Sequence, residues 1–488
     1  MYNFKRNIFF GFALLFLNSF IFADDRTGQS FLMPRGISEN SMIELALQGY
    51  RIYHSDYDKT ERPYTYPKSK SLLNIQTNYI YSSSDNSDAL ARYFLPGGKP
   101  FIRVKQDGGK GTVASKWLGL GRSDGDFNSK FKIHPERKIF GTILNYHQDL
   151  SRIYEGLWFS FMLPIVNAEH TLNIKEFTLG SEGEDPNIRS ITSALNQWAY
   201  NFGKFSPLKI SYTGLDDVLF KFGANVLKEG DVRAGIYTDF TLPVTGKPNS
   251  NFVFNHVLGS GGHLGLGIGA NCELTLSDYN KHILSLIGDV RYRYLFSGIE
   301  ERSFDLKQNG EWSRYLLVAK RGNATRPLPA INYLTRDLKI TPRDRAEVLA
   351  AFHYNYNNLN LEAGCNLWWR NSEKVELKNP WNVDVGIFNP FALQSGDGTA
   401  STAKISQGFN DVQPDPNNMF VAIPESNLDL DSAAQKTSIS HTLYLGASID
   451  TQLLDSLWMF GAGGAYEFGR DNAAMNNLSL WFKTCFSF

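Results

Sequence analysis

The stretch Asn477-Leu-Ser-Leu-Trp-Phe-Lys-Thr-Cys-Phe-Ser-Phe488 alternates with a period of two. Leu478, Leu480, Phe482, Thr484, Phe486 and Phe488 fall on one face, and Asn477, Ser479, Trp481, Lys483, Cys485 and Ser487 on the other. Such alternation specifies a strand with one apolar face. A soluble sandwich buries that face in a core, whereas a membrane barrel turns it to lipid. One strand does not separate the two, so strand number, strand length and connections decide.

Working back from the end of the chain, the same alternation marks twelve segments: 72–81, 139–147, 155–163, 215–226, 231–242, 263–276, 281–296, 347–356, 359–370, 439–450, 457–468 and 477–488. Most are about 9–12 residues long, as a tilted strand crossing a bilayer requires; globular strands average about 5–6. The gaps alternate. They are short after even-numbered segments and long after odd-numbered ones, except for the modest gap between Phe468 and Asn477. Outer-membrane barrels have short periplasmic turns and long external loops. The expected fold is therefore all-β: a transmembrane antiparallel up-and-down barrel of about 12 strands with long external loops, and with both chain ends on the short-turn side. Fourteen strands is the alternative, if 101–105 and 171–177 also join the sheet.

Asn357-Asn358 suits a two-residue hairpin with positive φ at both positions. It pairs Tyr354 with Leu361, Phe352 with Ala363 and Val348 with Leu367 on the apolar face, and Asn355 with Asn360 and His353 with Glu362 on the polar face. Leu264, Leu266, Ile268, Ala270, Cys272, Leu274 and Leu276 would face lipid, with Gly265, Gly267 and Gly269 on a bare inner wall. Tyr79, Tyr81, Tyr354, Tyr356, Trp369, Trp458, Phe486 and Phe488 gather near strand ends, as interfacial aromatics do.

The chain opens with Lys5-Arg6, an apolar run over 8–22 and Ala23 before Asp24-Asp25, the pattern of a cleaved secretory signal peptide over 1–23. Residues 24–71 read as a periplasmic extension or plug, and 72–488 as the barrel. The segment 191–202 suggests a short amphipathic helix. The loops 297–346 and 371–440 are long and rich in Pro, Gly, Asn and Asp, as irregular external loops are. Lysine plus arginine equals aspartate plus glutamate, at 49 each. No basic run tracks phosphates, so no nucleic-acid partner is expected.

The inner-face charges are the candidate pore-lining residues: Arg291, Arg293, Arg233, Asp289, Glu273, Lys221, Asp239, Glu362, Arg370 and Lys483. Asp217, Asp231 and Glu467 share that face. Lumenal charge needs water or a partner, because an unpaired buried ion is costly. The hairpin lays Arg291 and Arg293 beside Gly267 and Gly265, either as an anion-favouring constriction or as a pair neutralised by Asp289 and Glu273. Mixed signs elsewhere argue against strong selectivity. His353 beside Glu362 has the composition of an acid–base pair, but no nucleophile motif accompanies it, so no catalytic residue and no enzyme activity is expected. Cys272, Cys365 and Cys485, and His134, His147, His170, His256 and His263, lack metal spacing; no metal and no cofactor is expected.

The final strand, with Phe482, Phe486 and terminal Phe488, resembles the C-terminal signature of bacterial outer-membrane barrels of the porin or channel type, which implies recognition by the barrel-assembly machinery and residence among outer-membrane lipid in a diderm bacterium. Gly156-Leu-Trp-Phe-Ser-Phe-Met-Leu-Pro-Ile is similar to Gly235-Ile-Tyr-Thr-Asp-Phe-Thr-Leu-Pro-Val. Strands ending in Leu-Pro-x-Thr-Gly resemble those of channel barrels that include the long-chain fatty-acid transporter type. The expected function is a porin-like channel for small hydrophilic solutes, possible as a homo-oligomer. The alternatives are a transporter of hydrophobic molecules with an N-terminal plug, as the second resemblance implies, and a barrel-anchored surface adhesion or structural protein.

Overall fold

The computed structural model describes residues 26–47, 73–390, 398–413, 415, 417, 419–453, 456–469 and 473–487. The signal-peptide expectation and Phe488 lie outside them. Twelve long strands form the wall: β1 (Leu73–Ser84), β2 (Glu136–Asp149), β3 (Leu157–Thr171), β4 (Val218–Glu229), β5 (Val232–Leu242), β6 (Gly265–Tyr279), β7 (His282–Leu295), β8 (Arg343–Tyr356), β9 (Leu359–Arg370), β10 (Ser438–Leu453), β11 (Ser456–Gly469) and β12 (Asn477–Ser487). Each pairs antiparallel with its neighbours in sequence, and β1 pairs with both β2 and β12, which closes the barrel. Each corresponds to one expected segment. The alternative of fourteen strands is overturned: Phe101–Lys105 belongs to a separate small sheet, and the stretch 171–177 divides between the end of β3 and Lys175–Thr178 of that same sheet.

The wall faces follow the alternation. Leu478, Leu480 and Phe482 are exposed, while Trp481, Lys483 and Cys485 are buried. Phe140, Ile236, Ile268, Leu445 and other exposed apolar side chains continue the outer band around the barrel, and Trp458 stacks on Phe486 at the short-turn end. The expected β8–β9 register holds at all five pairs. Of that turn, Asn357 alone has positive φ, not both asparagines. Among the described residues, the two-residue turn with both φ positive is Asn280-Lys281, joining β6 to β7. That hairpin also carries a register shift between Thr275 and Ser277, so Gly267 opposes Arg293 and Gly269 opposes Arg291, one pair along from expectation.

β3 does not end at its Leu-Pro. It runs on to Thr171, and Pro164 sits where its partner changes from β4 to the short strand Ile210–Leu215. Proline has no N–H for the ladder, so it is tolerated at such a break. Leu242-Pro243, by contrast, does end β5. The two similar stretches therefore occupy different places in the wall.

In the long connections, much of 298–341 is strand, whereas most described residues of 378–427 are irregular, as expected, but packed. Residues from them share one hydrophobic core, with Phe94, Trp117, Phe131, Phe205, Trp312, Tyr315, Ile331, Leu338 and Val385 at its centre. Small sheets frame this cap. Each loop alone reads as polar punctuation, and its scattered apolar residues find partners only from other loops. The expected helix over 191–202 is a single turn, Ile191–Ala194.

Residues 28 and 29 hydrogen-bond to Leu95 and Tyr93 of the cap, whereas Ser487 lies at the short-turn end, paired with Asn74 and Leu457. The first strand thus begins, and the last ends, on the short-turn side, as an even strand count requires, while the segment ahead of the first strand reaches the cap at the opposite side.

Candidate functional site

Below the cap, the chain from Arg35 to Leu47 occupies the lumen. A 3-10 turn, Ile37–Glu39, leads into a short helix α1, Ser41–Leu45, whose N-cap Asn40 accepts a hydrogen bond from the Met42 N–H. Ile37, Met42, Ile43, Ala46 and Leu47 bury against Ile143, Met162, Leu219, Tyr444, Met459 and Trp481 of the wall. These apolar inward positions sit among the polar ones that the sequence emphasises.

The charges are complementary. Arg35 pairs with Glu347 and, at 3.2 Å, with Glu467. Glu39 pairs with Arg345. Glu44 meets Lys221 at 2.6 Å. The Ile37 N–H and the Ser38 hydroxyl both donate to Asp216, each at 3.0 Å. The Ser41 N–H donates to Glu347 at 2.8 Å and the Leu47 N–H to Glu362 at 3.0 Å. Lys483 donates to the carbonyls of Ile43, Glu44 and Ala46, which α1 leaves without intrahelical partners at its C-terminal end.

The candidate lumen residues find definite places in this network. Arg291 pairs with Glu347, and Arg293 with Asp239 at 2.7 Å. Their partners are therefore not Asp289 and Glu273. Asp289 accepts from the Tyr237 hydroxyl at 2.9 Å, and Glu273 lies 3.9 Å from Arg233. Arg370 donates to the carbonyls of Met33 and Ala473. His353 lies 3.1 Å from Glu362, which also accepts from Tyr444 at 2.8 Å. With the Leu47 N–H on the same carboxylate, that pair serves as an anchor for the lumen segment.

The glycines opposite the arginines are required by close approach. A Cβ on Gly267 would lie 2.7 Å from Asp239 Oδ2, and one on Gly269 would run into the Tyr237 ring.

The sequence reasoning missed Glu347 and Arg345 as site residues. Both have the inward parity of His353, and Arg345 precedes the expected strand start. It also missed Arg35, Glu39 and Glu44, for which no periodic signal exists.

No protein-family model and no curated protein matches this chain. Among solved structures it is similar to an outer-membrane channel from Pseudomonas putida F1, at 9% identity and TM-score 0.38, covering 88% of this chain and 100% of that one. A FadL homologue from Pseudomonas aeruginosa aligns at 11% identity and TM-score 0.26, covering 86% and 89%. The β domain of the Bordetella autotransporter BrkA aligns at 7% and TM-score 0.33, covering 86% and 100%. The closed wall and its apolar outer band define the class of this protein, an antiparallel transmembrane β-barrel of the outer-membrane type.

Proposed function

We propose that this protein is an outer-membrane channel for small hydrophilic solutes that its own N-terminal segment holds shut. The observation that carries the reading is the ionic fit between Arg35, Glu39 and Glu44 of that segment and Glu347, Arg345 and Lys221 of the wall. The segment acts as a plug. Displacing it leaves a wall on which charged and amide side chains stand among apolar ones such as Ile143, Met162 and Leu219, and the charges favour polar solutes over apolar ones. The interface is ionic as well as apolar, so plug and wall can each be solvated after separation. Export through a cleaved signal peptide and insertion by the barrel-assembly machinery belong to the same proposal.

The test is single-channel conductance in a planar bilayer for the mature chain and for a version lacking residues 24–47. The mature chain is expected to stay silent and the truncated one to give stable steps. A truncated chain that folds and stays silent overturns the proposal.

The cap core supports a second reading, in which the barrel anchors a surface-binding domain. It predicts that cap substitutions abolish attachment of cells to a surface while leaving conductance unchanged.

A further inference from the structure

The lumen segment does not begin in the lumen. From Gly28 to Leu47 no residue is exposed, whereas Arg26 ahead of them is. This buried run starts in the cap and ends low in the barrel. A Cβ on Gly461, five residues from the short-turn end of β11, would lie 2.9 Å from Leu47 Cδ1. The run is a thread whose two halves sit in different surroundings.

The upper half, 28–33, is tied to three of the long connections. From the β1–β2 connection, the Leu95 and Tyr93 carbonyls accept from the Gly28 and Gln29 N–H groups at 3.0 and 2.9 Å. The Tyr93 hydroxyl donates back to the Phe31 carbonyl at 2.7 Å. From the β7–β8 connection, Arg314, itself paired with Asp305 at 2.6 Å, donates to the Gly28 carbonyl at 2.9 Å. The Arg302 guanidinium lies 3.3 Å from the centre of the Phe31 ring. From the β9–β10 connection, Gln435 Oε1 accepts from the Met33 N–H at 2.6 Å. Leu32 belongs to the cap core itself.

Between the halves lies a neck. A Cβ on Gly36 would lie 3.2 Å from Gly259 Cα, and one on Gly261 would lie 2.7 Å from Met33 Cε. The ion pairs that seat the lower half begin just below, at Arg35. The chain is continuous through the neck, so neither half leaves without the other. A lower half moving toward the short turns must draw 28–33 out of the cap, and buried backbone groups then lose their partners in three connections at once. A lower half moving the other way meets the cap core. In both directions the cap must yield first.

We propose that residues 26–33 are a strap that crosses to the outer face and latches the lumen segment from the cap side, so that opening is governed by the cap. The latch rests on the plug reading, and the crossing does not.

The crossing is tested in the full chain by labelling single added cysteines with a membrane-impermeant maleimide. Labelling is done on intact cells and after permeabilising the outer membrane. The three native cysteines lie in the wall and set the background. Lys378→Cys marks the cap and Tyr154→Cys the β2–β3 turn, both at exposed positions. Arg26→Cys is expected to label on intact cells as Lys378→Cys does, while Tyr154→Cys waits for permeabilisation. Arg26→Cys that follows Tyr154→Cys, or that labels only after unfolding, overturns the crossing.

The latch is tested by single-channel recording. A chain lacking 24–33 keeps Arg35, Glu39 and Glu44, and it is expected to open often where the mature chain is silent. Gln435→Met takes the acceptor from the Met33 N–H and leaves the ion pairs below the neck in place. It is expected to raise the open fraction about tenfold, as one buried donor left unsatisfied does. Gel heat-modifiability reports folding, and should the shortened chain unfold, Gln435→Met carries the test with the same two outcomes. A folded chain lacking 24–33 that stays silent, when the one lacking 24–47 conducts, overturns the latch and leaves the plug. Silence from both ends the plug reading and the latch with it, and Arg26→Cys still decides the crossing.

Discussion

Lys483 Nζ, on the last barrel strand, donates to the carbonyl oxygen of Ala46 at 2.6 Å, at the C-terminal end of the lumen helix. The carbonyls of Ile43 and Glu44 accept from the same ammonium. One wall cation thus satisfies three carbonyls that the short helix leaves open, and it favours the negative end of the helix dipole. Substitution Lys483→Met removes the donor and keeps the length. It is expected to weaken plug seating by about 1.5–3 kcal/mol, the range for hydrogen bonds to a charged group. Planar-bilayer recordings should show transient openings absent from wild type, while gel heat-modifiability stays normal.

Glu347 carries more. It faces Arg291 on the neighbouring strand, accepts from Arg35 and the Ser41 N–H of the lumen segment, and from Asn366. Glu347→Gln takes the ion-pair partner from buried Arg291 and leaves Arg35 with Glu467, a loss on the order of 3–5 kcal/mol. Channel openings should become frequent, and their reversal potential should shift toward anion preference because Arg291 then lacks its Glu347 counter-charge and an open lumen also separates Arg345 from Glu39. Unchanged silence in a folded E347Q protein would contradict the plug.

The cap carries its own acid response. Burial alone raises the pKa of Glu300, but Arg302 beside it at 2.8 Å and His263 outweigh burial and hold it below the ordinary value of 4.5. A depressed carboxylate contributes stability that is present above the unfolded pKa and is lost as pH falls through the folded one. Acidification below about pH 4.5 should therefore loosen the cap, seen as faster proteolysis of the long connections while far-ultraviolet circular dichroism still reports the barrel. Glu300→Gln should remove that acid step.

The β6–β7 turn places Lys281 at φ +70°, beside Asn280 at +49°. A side chain in this region costs roughly 1–2 kcal/mol, and glycine avoids it. Lys281→Gly is expected to stabilise the barrel by about 1 kcal/mol. The midpoint of urea unfolding in detergent should rise, and a fall would show that the Lys281 side chain has a role of its own.

The wall was legible because its determinants are local. Alternation at Leu478, Leu480 and Phe482 states which face meets lipid, and gap lengths state which ends carry turns. The inner charges were legible as residues but not as pairs. Arg293 opposing Gly267 rather than Gly265 depends on the turn falling at Asn280-Lys281 together with one register shift between Thr275 and Ser277, which no residue type announces. The shared core of the cap was not legible, because it draws on loops distant in sequence, Phe94 and Trp312 among them.

By itself, the sequence determined the number of strands, their faces, the side of the short turns and the parity of Arg291, Arg293 and Lys483, all consequences of a period-two backbone and nearest-neighbour turns. The tertiary structure alone decided that residues 35–47 fill the lumen and that Glu44 meets Lys221 and Arg35 meets Glu347. Those contacts join positions 177 and 312 residues apart, and they exist only once the closed wall sets a radius that one short helix can occupy.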